Sequence, residues 1–144
     1  EDFENNISKI RNTIKNDRAI LRAYHYFKEN ERVCVMREAL LNKDITTFLK
    51  LVKESGNSSF RFLQNVYPSS DPAFQGLSIA IAISENILKD EGAVRVHGGG
   101  FAGTIQAYVP KHLLPGYINA MEAIFGEGCT SKISIRKEPV LRIV

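Results

Sequence analysis

Four of the chain's ten glycines fall within six positions, in the run Gly98-Gly99-Gly100-Phe101-Ala102-Gly103. Glycines this dense cost backbone entropy on folding, so they occur where the chain needs a positive φ or where another group approaches the backbone closely. The run is therefore either a tight structural loop or a binding surface. Both interpretations are open from these six residues alone.

The residues on either side of the run predict a strand, a loop and a second strand. The flanking segments, 93–97 and 104–109, are both rich in β-branched or aromatic residues. A dinucleotide-binding fingerprint or a P-loop needs a helix directly after the glycines, where the helix N-terminus binds phosphate. The pattern therefore excludes both of these nucleotide loops. It leaves a wide structural hairpin and a loop whose amides face a ligand as alternatives.

Composition predicts a single globular domain over residues 1–144. The chain is 44% hydrophobic and 24% charged, and its length allows a sizeable core. Its formal net charge is +3 with the basic residues scattered, so we do not expect a nucleic-acid partner. We find no signal peptide or membrane span and expect a cytoplasmic protein without membrane contact. The first methionine is Met36, so we expect a piece of a longer protein.

Hydrophobic periodicity and capping signals predict most of the secondary structure. We expect helices over 3–16, 17–41, 44–56, 71–92 and 111–125, and further strands over 130–136 and 140–144. Asp17 and Asp44 are the predicted N-caps of the second and third helices, Gly56 is the predicted stop of the third, and Pro115 can lie in the first turn of the last. Helices segregated from strands predict an α+β fold, an antiparallel sheet with helices packed on one side. The order of strand, strand, helix and strand at the end of the chain is compatible with a ferredoxin-like arrangement.

Side chains with catalytic potential are sparse. No Ser, His and Asp are spaced as a triad, and the histidines and cysteines lack metal-ligand spacing, so no catalytic residue and no metal ligand is assigned. Glu29, Glu31 and Glu38 lie along one predicted helix, and we interpret them as a solvated charged face. His97 is the histidine beside the glycine run, and we interpret it as a structural or hydrogen-bonding group.

Two stretches of the sequence resemble a known family. The segment from Gly92 to Thr104, with Arg95 ahead of its Gly-Gly-Gly-Phe core, closely resembles the third conserved motif of the GHMP small-molecule kinases, in the form carried by galactokinases. The residues Arg22-Ala23-Tyr24-His25, Glu31-Arg32-Val33 and Glu54-Ser55 are similar to the helical stretch of the galactokinase C-terminal half. The resemblance extends from about Arg22 to Val144.

This resemblance implies a ferredoxin-like GHMP kinase C-terminal domain, one lobe of a two-lobed enzyme. The intact protein would phosphorylate the C1 hydroxyl of galactose with ATP and Mg²⁺, and the sugar and nucleotide would bind mostly through an N-terminal domain outside this chain. The chain alone is expected to be inactive. The residues implied to form the substrate or nucleotide loop are Gly98, Gly99, Gly100, Phe101 and Gly103, with Arg95 and His97 as its supports.

Three alternatives stay open beside this interpretation. The intact protein is a GHMP kinase for another small alcohol, or a non-catalytic sugar-sensing homologue of galactokinases. As a third alternative, the chain is a free-standing binding domain whose glycine loop is purely structural. A GHMP kinase for another small alcohol is expected to have the loop motif but to lack the resemblance to galactokinases over residues 22–33.

Overall fold

The computed structural model describes residues 2–101 and 103–134. In chain order, the elements within these residues are α1 (Asp2–Asn5), α2 (Ile7–Ile14), α3 (Asp17–Leu41), α4 (Ile45–Ser58), a π-helical turn (Ser59–Leu63), α5 (Gly76–Leu88), β1 (Ala93–Val96), β2 (Ile105–Tyr108) and α6 (Leu114–Phe125). None of the helices in this described part combines the length and the apolar character needed to span a bilayer.

The N-terminal segment forms two short helices, α1 and α2, rather than the single helix predicted over 3–16. The break lies at Asn6, whose side-chain amide donates to the carbonyl oxygen of Asp2 at 2.7 Å. A local side-chain bond of this kind competes with the helical backbone ladder. α2 then ends at Lys15, which adopts the left-handed conformation with φ 52°.

Polar caps start α3 and α4. The side chain of Asn16, one residue before the predicted cap Asp17, accepts a hydrogen bond from the amide of Ala19 at 3.1 Å. Asp44 caps α4 as predicted, because its carboxylate accepts from the amide of Thr47 at 2.9 Å. Hydrogen bonding from the Thr47 side chain, and then from its backbone amide, lowers the pKa of Asp44. Both helix starts are therefore fixed by local hydrogen bonds within one turn.

α4 does not stop at Gly56, where the sequence predicts its end. A Cβ at this position would lie 3.0 Å from the Cβ of Arg95 and 3.3 Å from the carbonyl oxygen of Val94. Gly56 therefore serves close packing of α4 against β1 rather than termination. The helix continues into the π-helical turn, which ends at Gln64 with φ 52°.

α5 begins and ends at different residues from those predicted. Asp71 forms a turn, its carboxylate accepting from a backbone amide two residues later, and the helix starts only at Gly76. It ends at Lys89, which takes a positive φ of 46°, rather than at Gly92. α6 keeps Pro115 in its first turn, as predicted.

β1 and β2 form an antiparallel hairpin, with Ala93 opposite Tyr108 and Val96 opposite Ile105. The predicted order of strand, loop and strand around the glycine run is therefore confirmed. Both strands are four residues long, and β1 is the more buried of the two.

The strands predicted near the C-terminus are not part of this sheet in the described residues. Residues 130–134 form no strand, so the prediction over 130–136 is wrong for that part. The side chain of Ile133 is 73% exposed, so it does not pack against a core face as an inward-facing strand residue would. Residues 135–136 and the strand predicted over 140–144 lie outside the described residues. The ferredoxin-like arrangement, which needs more than two strands, stays a prediction.

The main hydrophobic core lies between one face of the sheet and the pair α5 and α6. Val94 packs there with Leu88 of α5 and with Tyr117 and Met121 of α6. The Tyr117 hydroxyl bonds to the hydroxyl of Ser84 at 2.8 Å, so the polar end of this buried ring is satisfied. Burial raises the pKa of Tyr117, which keeps the phenol protonated.

Helices also contact the second face of the sheet. Because side chains alternate along a strand, Arg95 and Tyr108 point away from the face that carries Val94. Phe48 of α4 packs edge-on against Tyr108, with ring centres 5.4 Å apart. The α+β class and the antiparallel sheet are confirmed. The helices, however, contact both faces instead of one, because Gly56 admits α4 to the second face.

A substitution at Gly92, directly before β1, tests how closely the backbone packs between α5 and β2. A Cβ on Gly92 would lie 2.4 Å from the carbonyl oxygen of Tyr108 and 2.9 Å from Cδ2 of Leu88. We expect Gly92→Ala to lower the free energy of unfolding by about 1–3 kcal/mol, the usual cost of overpacking. Chemical denaturation measures this difference.

Gly116→Ala is the matched control for that variant. No atom lies within 4 Å of a Cβ at Gly116, which is exposed in the first turns of α6. The same substitution there should raise the free energy of unfolding by about 0.5–1 kcal/mol through helix propensity. Equal effects of the two variants would contradict the packing described for Gly92.

Candidate functional site

The glycine run forms the loop of the hairpin between β1 and β2. The amide of His97 donates to the carbonyl oxygen of Thr104 at 3.1 Å, which closes the loop at its base. Gly98, Gly100 and Gly103 have φ values of 59°, 72° and 95°, a region that favours glycine. Three of the four glycines are therefore needed for the backbone path alone.

Gly99 differs from the other glycines of the loop. Its φ is not positive, the residue is exposed, and a Cβ built on it would meet no atom within 4 Å. Nothing in the described part of the chain therefore requires a glycine at this position. A glycine that the fold does not need is typical of a backbone approached by another molecule.

The centre of the loop is fastened to Asn65, which is only 2% exposed. The backbone carbonyl oxygen of Asn65 accepts from the amide of Phe101 at 2.9 Å. Its side-chain amide donates to the carbonyl oxygen of Gly99 at 3.2 Å. Gly100 lies between these contacts, so close that a Cβ there would be 2.0 Å from the Asn65 carbonyl oxygen. Residues 99–101 therefore dock on a single buried asparagine.

The π-helical turn delivers Asn65 to the loop. The turn ends at Gln64 in the left-handed conformation, and Asn65 is the next residue. Ser59, at the start of the turn and 1% exposed, donates its hydroxyl to Oδ1 of Asn65 at 3.0 Å. The Asn65 amide thus accepts at its oxygen and donates at its nitrogen, which fixes its orientation.

Arg95 of β1 points into a half-buried polar cluster on α3 and α4, which we call the Glu29 cluster. Its members are Glu29, Arg32, Ser55 and Arg95. Nη1 of Arg95 donates to the hydroxyl oxygen of Ser55 at 2.5 Å and lies 3.4 Å from Oε1 of Glu29. The Ser55 hydroxyl donates to Glu29, whose other carboxylate oxygen pairs with Arg32. The cluster therefore joins two helices to the strand that leads into the loop.

The carboxylate of Glu29 is ionised at neutral pH. Burial alone would raise the pKa of Glu29, but the hydrogen bond from Ser55 and the charges of Arg32 and Arg95 outweigh it, and the pKa is lowered. Because both carboxylate oxygens are bonded, the cost of removing this charge from water is offset within the cluster.

His25 of α3 lies on the same side of the fold. Its Nδ1 is 2.9 Å from the hydroxyl oxygen of Ser58, the residue before Ser59. Burial lowers the pKa of His25; the Glu29 carboxylate opposes this shift, and the guanidinium groups of Arg32 and Arg95 add to it. The imidazole is therefore neutral at pH 7, and its contact helps hold the helix end from which Ser59 reaches Asn65.

A cleft of about 690 Å³ opens beside the loop, a volume typical of small-molecule sites. His97, Phe101 and Gly103 line it from the loop side, and apolar side chains of α5, β2 and α6 form much of the wall. Thr104 and Gln106 add polar groups close to the loop. In the described residues, no group of three His, Cys, Asp or Glu side chains is placed to hold a metal ion.

The structure brings the predicted site residues to one end of the hairpin. Gly100 is turned onto Asn65, and Arg95 points toward α3 and α4 rather than into the loop. His97 lies at the loop base and is exposed. The exposed members of the predicted loop are Gly98, Gly99, Phe101 and Gly103. Their role toward a ligand stays a prediction.

Sequence reasoning missed two residues that hold the loop and its strand, Asn65 and Glu29. Glu31 and Glu38 are exposed, as predicted for a solvated face, but the same prediction is wrong for Glu29, whose side chain is 21% exposed and ion-paired. The available signal was Arg32, three residues later on the same helix face. Asn65 gave no signal, because its partners are 34 residues or more away in the loop or come from an irregular turn.

The chain is similar to a galactokinase from Haemophilus influenzae, with 33% identity over 92 residues. The match covers 64% of this chain and 22% of that galactokinase, so the matched segment is about one-fifth of the relative's length. No protein-family model matches the chain, and no solved structure matches it. The similarity supports a relationship to galactokinases over the matched residues.

The Glu29 cluster predicts a pH-dependent stability. Because the folded-state pKa of Glu29 is lowered, its ionised form stabilises the fold above the unfolded pKa of about 4.3, and this contribution is lost as the pH falls through the folded value. We expect Glu29→Gln to lower the free energy of unfolding by about 1–3 kcal/mol at pH 7. The gap to the unchanged protein should shrink below about pH 4.3.

Glu31→Gln is the matched control on the same helix. Glu31 pairs with Lys28 at 3.3 Å, but its side chain is 65% exposed, so we expect a change of at most about 0.5 kcal/mol. Urea denaturation at several pH values measures both variants. A Glu29→Gln gap that stays constant down to pH 3 would show that the carboxylate charge does not stabilise the cluster.

Proposed function

We propose that the intact protein is a galactokinase of the GHMP type and that this chain forms its C-terminal domain. In this proposal the γ-phosphoryl group of MgATP is transferred to the C1 hydroxyl of galactose, and the glycine loop forms one wall of the site. The similarity to the Haemophilus influenzae galactokinase supports the kinase-like part. The observation that carries the role of the loop is Gly99, an exposed glycine that no described residue requires.

The loop amides suit an anionic ligand. The amides of Gly98, Gly99 and Gly103 make no hydrogen bond within the described residues, and all three residues are exposed. Successive unpaired amides in a loop with positive φ values can donate to phosphate oxygens. Phosphoryl transfer spreads negative charge over these oxygens, so positioned donors lower its barrier. We therefore assign these amides as the donors that this chain contributes to the phosphate groups.

In this proposal the ligands of the magnesium ion lie mostly outside this chain, in the rest of the intact protein. When bound, Mg²⁺ neutralises charge on the β- and γ-phosphates of ATP. The described residues offer no group of three His, Cys, Asp or Glu side chains for it. This chain's own residues thus act by positioning amides and excluding water from one side.

Arg95 and His97 take different roles in this proposal. The guanidinium of Arg95 is engaged by Ser55 and Glu29, so Arg95 supports the strand that leads into the loop. The side chain of His97 is exposed and lines the cleft, so it is free to form a hydrogen bond with a bound substrate. In this proposal the sugar site and the catalytic base belong to the N-terminal half of the intact protein, so this chain alone is expected to show no turnover.

The assay that tests the proposal uses the intact protein, purified together with its N-terminal half. We expect ATP consumption that depends on galactose, with galactose 1-phosphate as the product. A panel of other sugars and small alcohols serves as the control, because turnover of one of these instead would assign a different GHMP kinase. Binding of galactose and ATP by calorimetry with no product would assign a sugar sensor.

Gly99→Ala tests whether the loop faces a ligand. The fold has space for this methyl group, so we expect the free energy of unfolding to change by less than about 0.5 kcal/mol. If phosphates approach the amide of Gly99, the methyl group interferes and kcat/KM falls at least about tenfold, equivalent to about 1.4 kcal/mol. Steady-state kinetics and thermal unfolding of the intact protein measure the two effects.

Gly116→Ala in α6, at a residue that does not line the cleft, is the control for that kinetic effect. Unchanged kinetics in both variants would favour a purely structural glycine loop. A large loss of stability in Gly99→Ala would instead contradict the open space found around this residue.

A further inference from the structure

We infer that Asn65 is a positioning residue that sets the place of the glycine loop in the active site. The inference rests on the proposed function for its kinetic consequence, but the contacts that carry it belong to the described chain. Asn65 does not lie in the sequence motif that drew attention to the loop, and it is separated from Gly99 by 34 residues.

Asn65 holds the loop at two points, and its side chain is held in turn by the fold. Its carbonyl oxygen accepts from the Phe101 amide at 2.9 Å, and its side-chain nitrogen donates to the Gly99 carbonyl at 3.2 Å. The side-chain oxygen accepts from Ser59 at 3.0 Å. With 2% exposure, the asparagine has no water to replace a lost partner.

The chemistry of this position favours asparagine over similar residues. The side chain must accept from Ser59 and donate to Gly99, and only a carboxamide does both at this length. An aspartate keeps the shape and the acceptor, but it has no proton for the Gly99 carbonyl at neutral pH. Asparagine to aspartate therefore removes the side-chain bond to Gly99 with the smallest change of shape, and it also adds the desolvation cost of a buried charge.

The contacts fix residues 99–101 while leaving the proposed ligand-facing amides unpaired. Gly98 and Gly103 lie on either side of the docked segment and make no amide hydrogen bond within the described residues. Their positions therefore follow from where Asn65 holds the centre of the loop. The unusual π-helical turn before Asn65 is consistent with this role, because such turns occur frequently at functional sites.

Asn65→Asp in the intact protein tests the inference, with Asn57→Asp as the matched control. Asn57 lies exposed on α4 and receives the same chemical change and the same added charge. We expect hydrogen exchange in residues 97–104 to accelerate about tenfold in Asn65→Asp, the factor for losing one hydrogen bond. Exchange in α6 should not change, and Asn57→Asp should match the unaltered protein at both segments.

The kinetic readout separates positioning from stability. We expect Asn65→Asp to lower kcat about tenfold while KM for ATP changes less than about threefold, because preorganised donors act on charge that develops in the transition state. Rates are normalised to the folded fraction, so a merely structural residue would leave kcat per folded molecule unchanged. An unchanged normalised kcat together with unchanged loop exchange overturns the inference.

The two proposals fail in distinguishable ways. If the unaltered protein phosphorylates no sugar but Asn65→Asp still loosens the loop, the proposed function is wrong and the positioning of the loop by Asn65 stands. If the protein is a kinase and loop exchange in Asn65→Asp equals that of the unaltered protein, the inference is wrong. If Asn65→Asp does not fold, Ser59→Ala tests the positioning of the loop by Asn65 instead. It frees the Asn65 side chain from one side, and exchange in residues 97–104 must then accelerate, or the inference is wrong.

Discussion

The close approach of α4 to β1 at Gly56 is the constraint on which the arrangement of the site depends. A Cβ at position 56 would lie 3.0 Å from the Cβ of Arg95, closer than ordinary van der Waals contact, so glycine favours this approach of the helix backbone. This approach places Ser55 against the guanidinium of Arg95 and brings the end of α4 under the hairpin. The π-helical turn follows directly after α4, and the residues after it place Asn65 against the loop. One backbone contact thus aligns both supports of the glycine loop.

The hydrophobic core and the Glu29 cluster serve the hairpin in different ways. The hydrophobic core between α5, α6 and the sheet buries Val94. Hydrophobic burial has no preferred direction, so it stabilises the hairpin without setting the orientation of its side chains. The Glu29 cluster is directional, because each hydrogen bond has a required geometry. The cluster therefore restricts the orientation of Arg95, in addition to the stability that its ionised carboxylate contributes. The core therefore stabilises the hairpin, and the cluster orients its first strand.

The sequence predicted what local patterns encode and missed what distant contacts decide. The strand pair around the glycines, the cap at Asp44 and the proline at the start of α6 were predicted correctly, because each depends on residues close in the sequence. The role of Gly56 as a helix stop was wrong, since its packing partner lies on β1. The assignment of Glu29 to a solvated face failed for the same reason, because Arg95 is 66 residues away.

The sequence separations of the contacts around the loop have a consequence for folding. Asn65 bonds to a residue 34 positions away, and Arg95 reaches Ser55 and Glu29 across 40 and 66 positions. Contacts of high sequence separation require large chain loops to close first, so they form slowly and late. The helices can form while the glycine loop is still without its anchor. The order of the loop is therefore among the last properties that a folding chain acquires, and among the first that a destabilising substitution elsewhere removes.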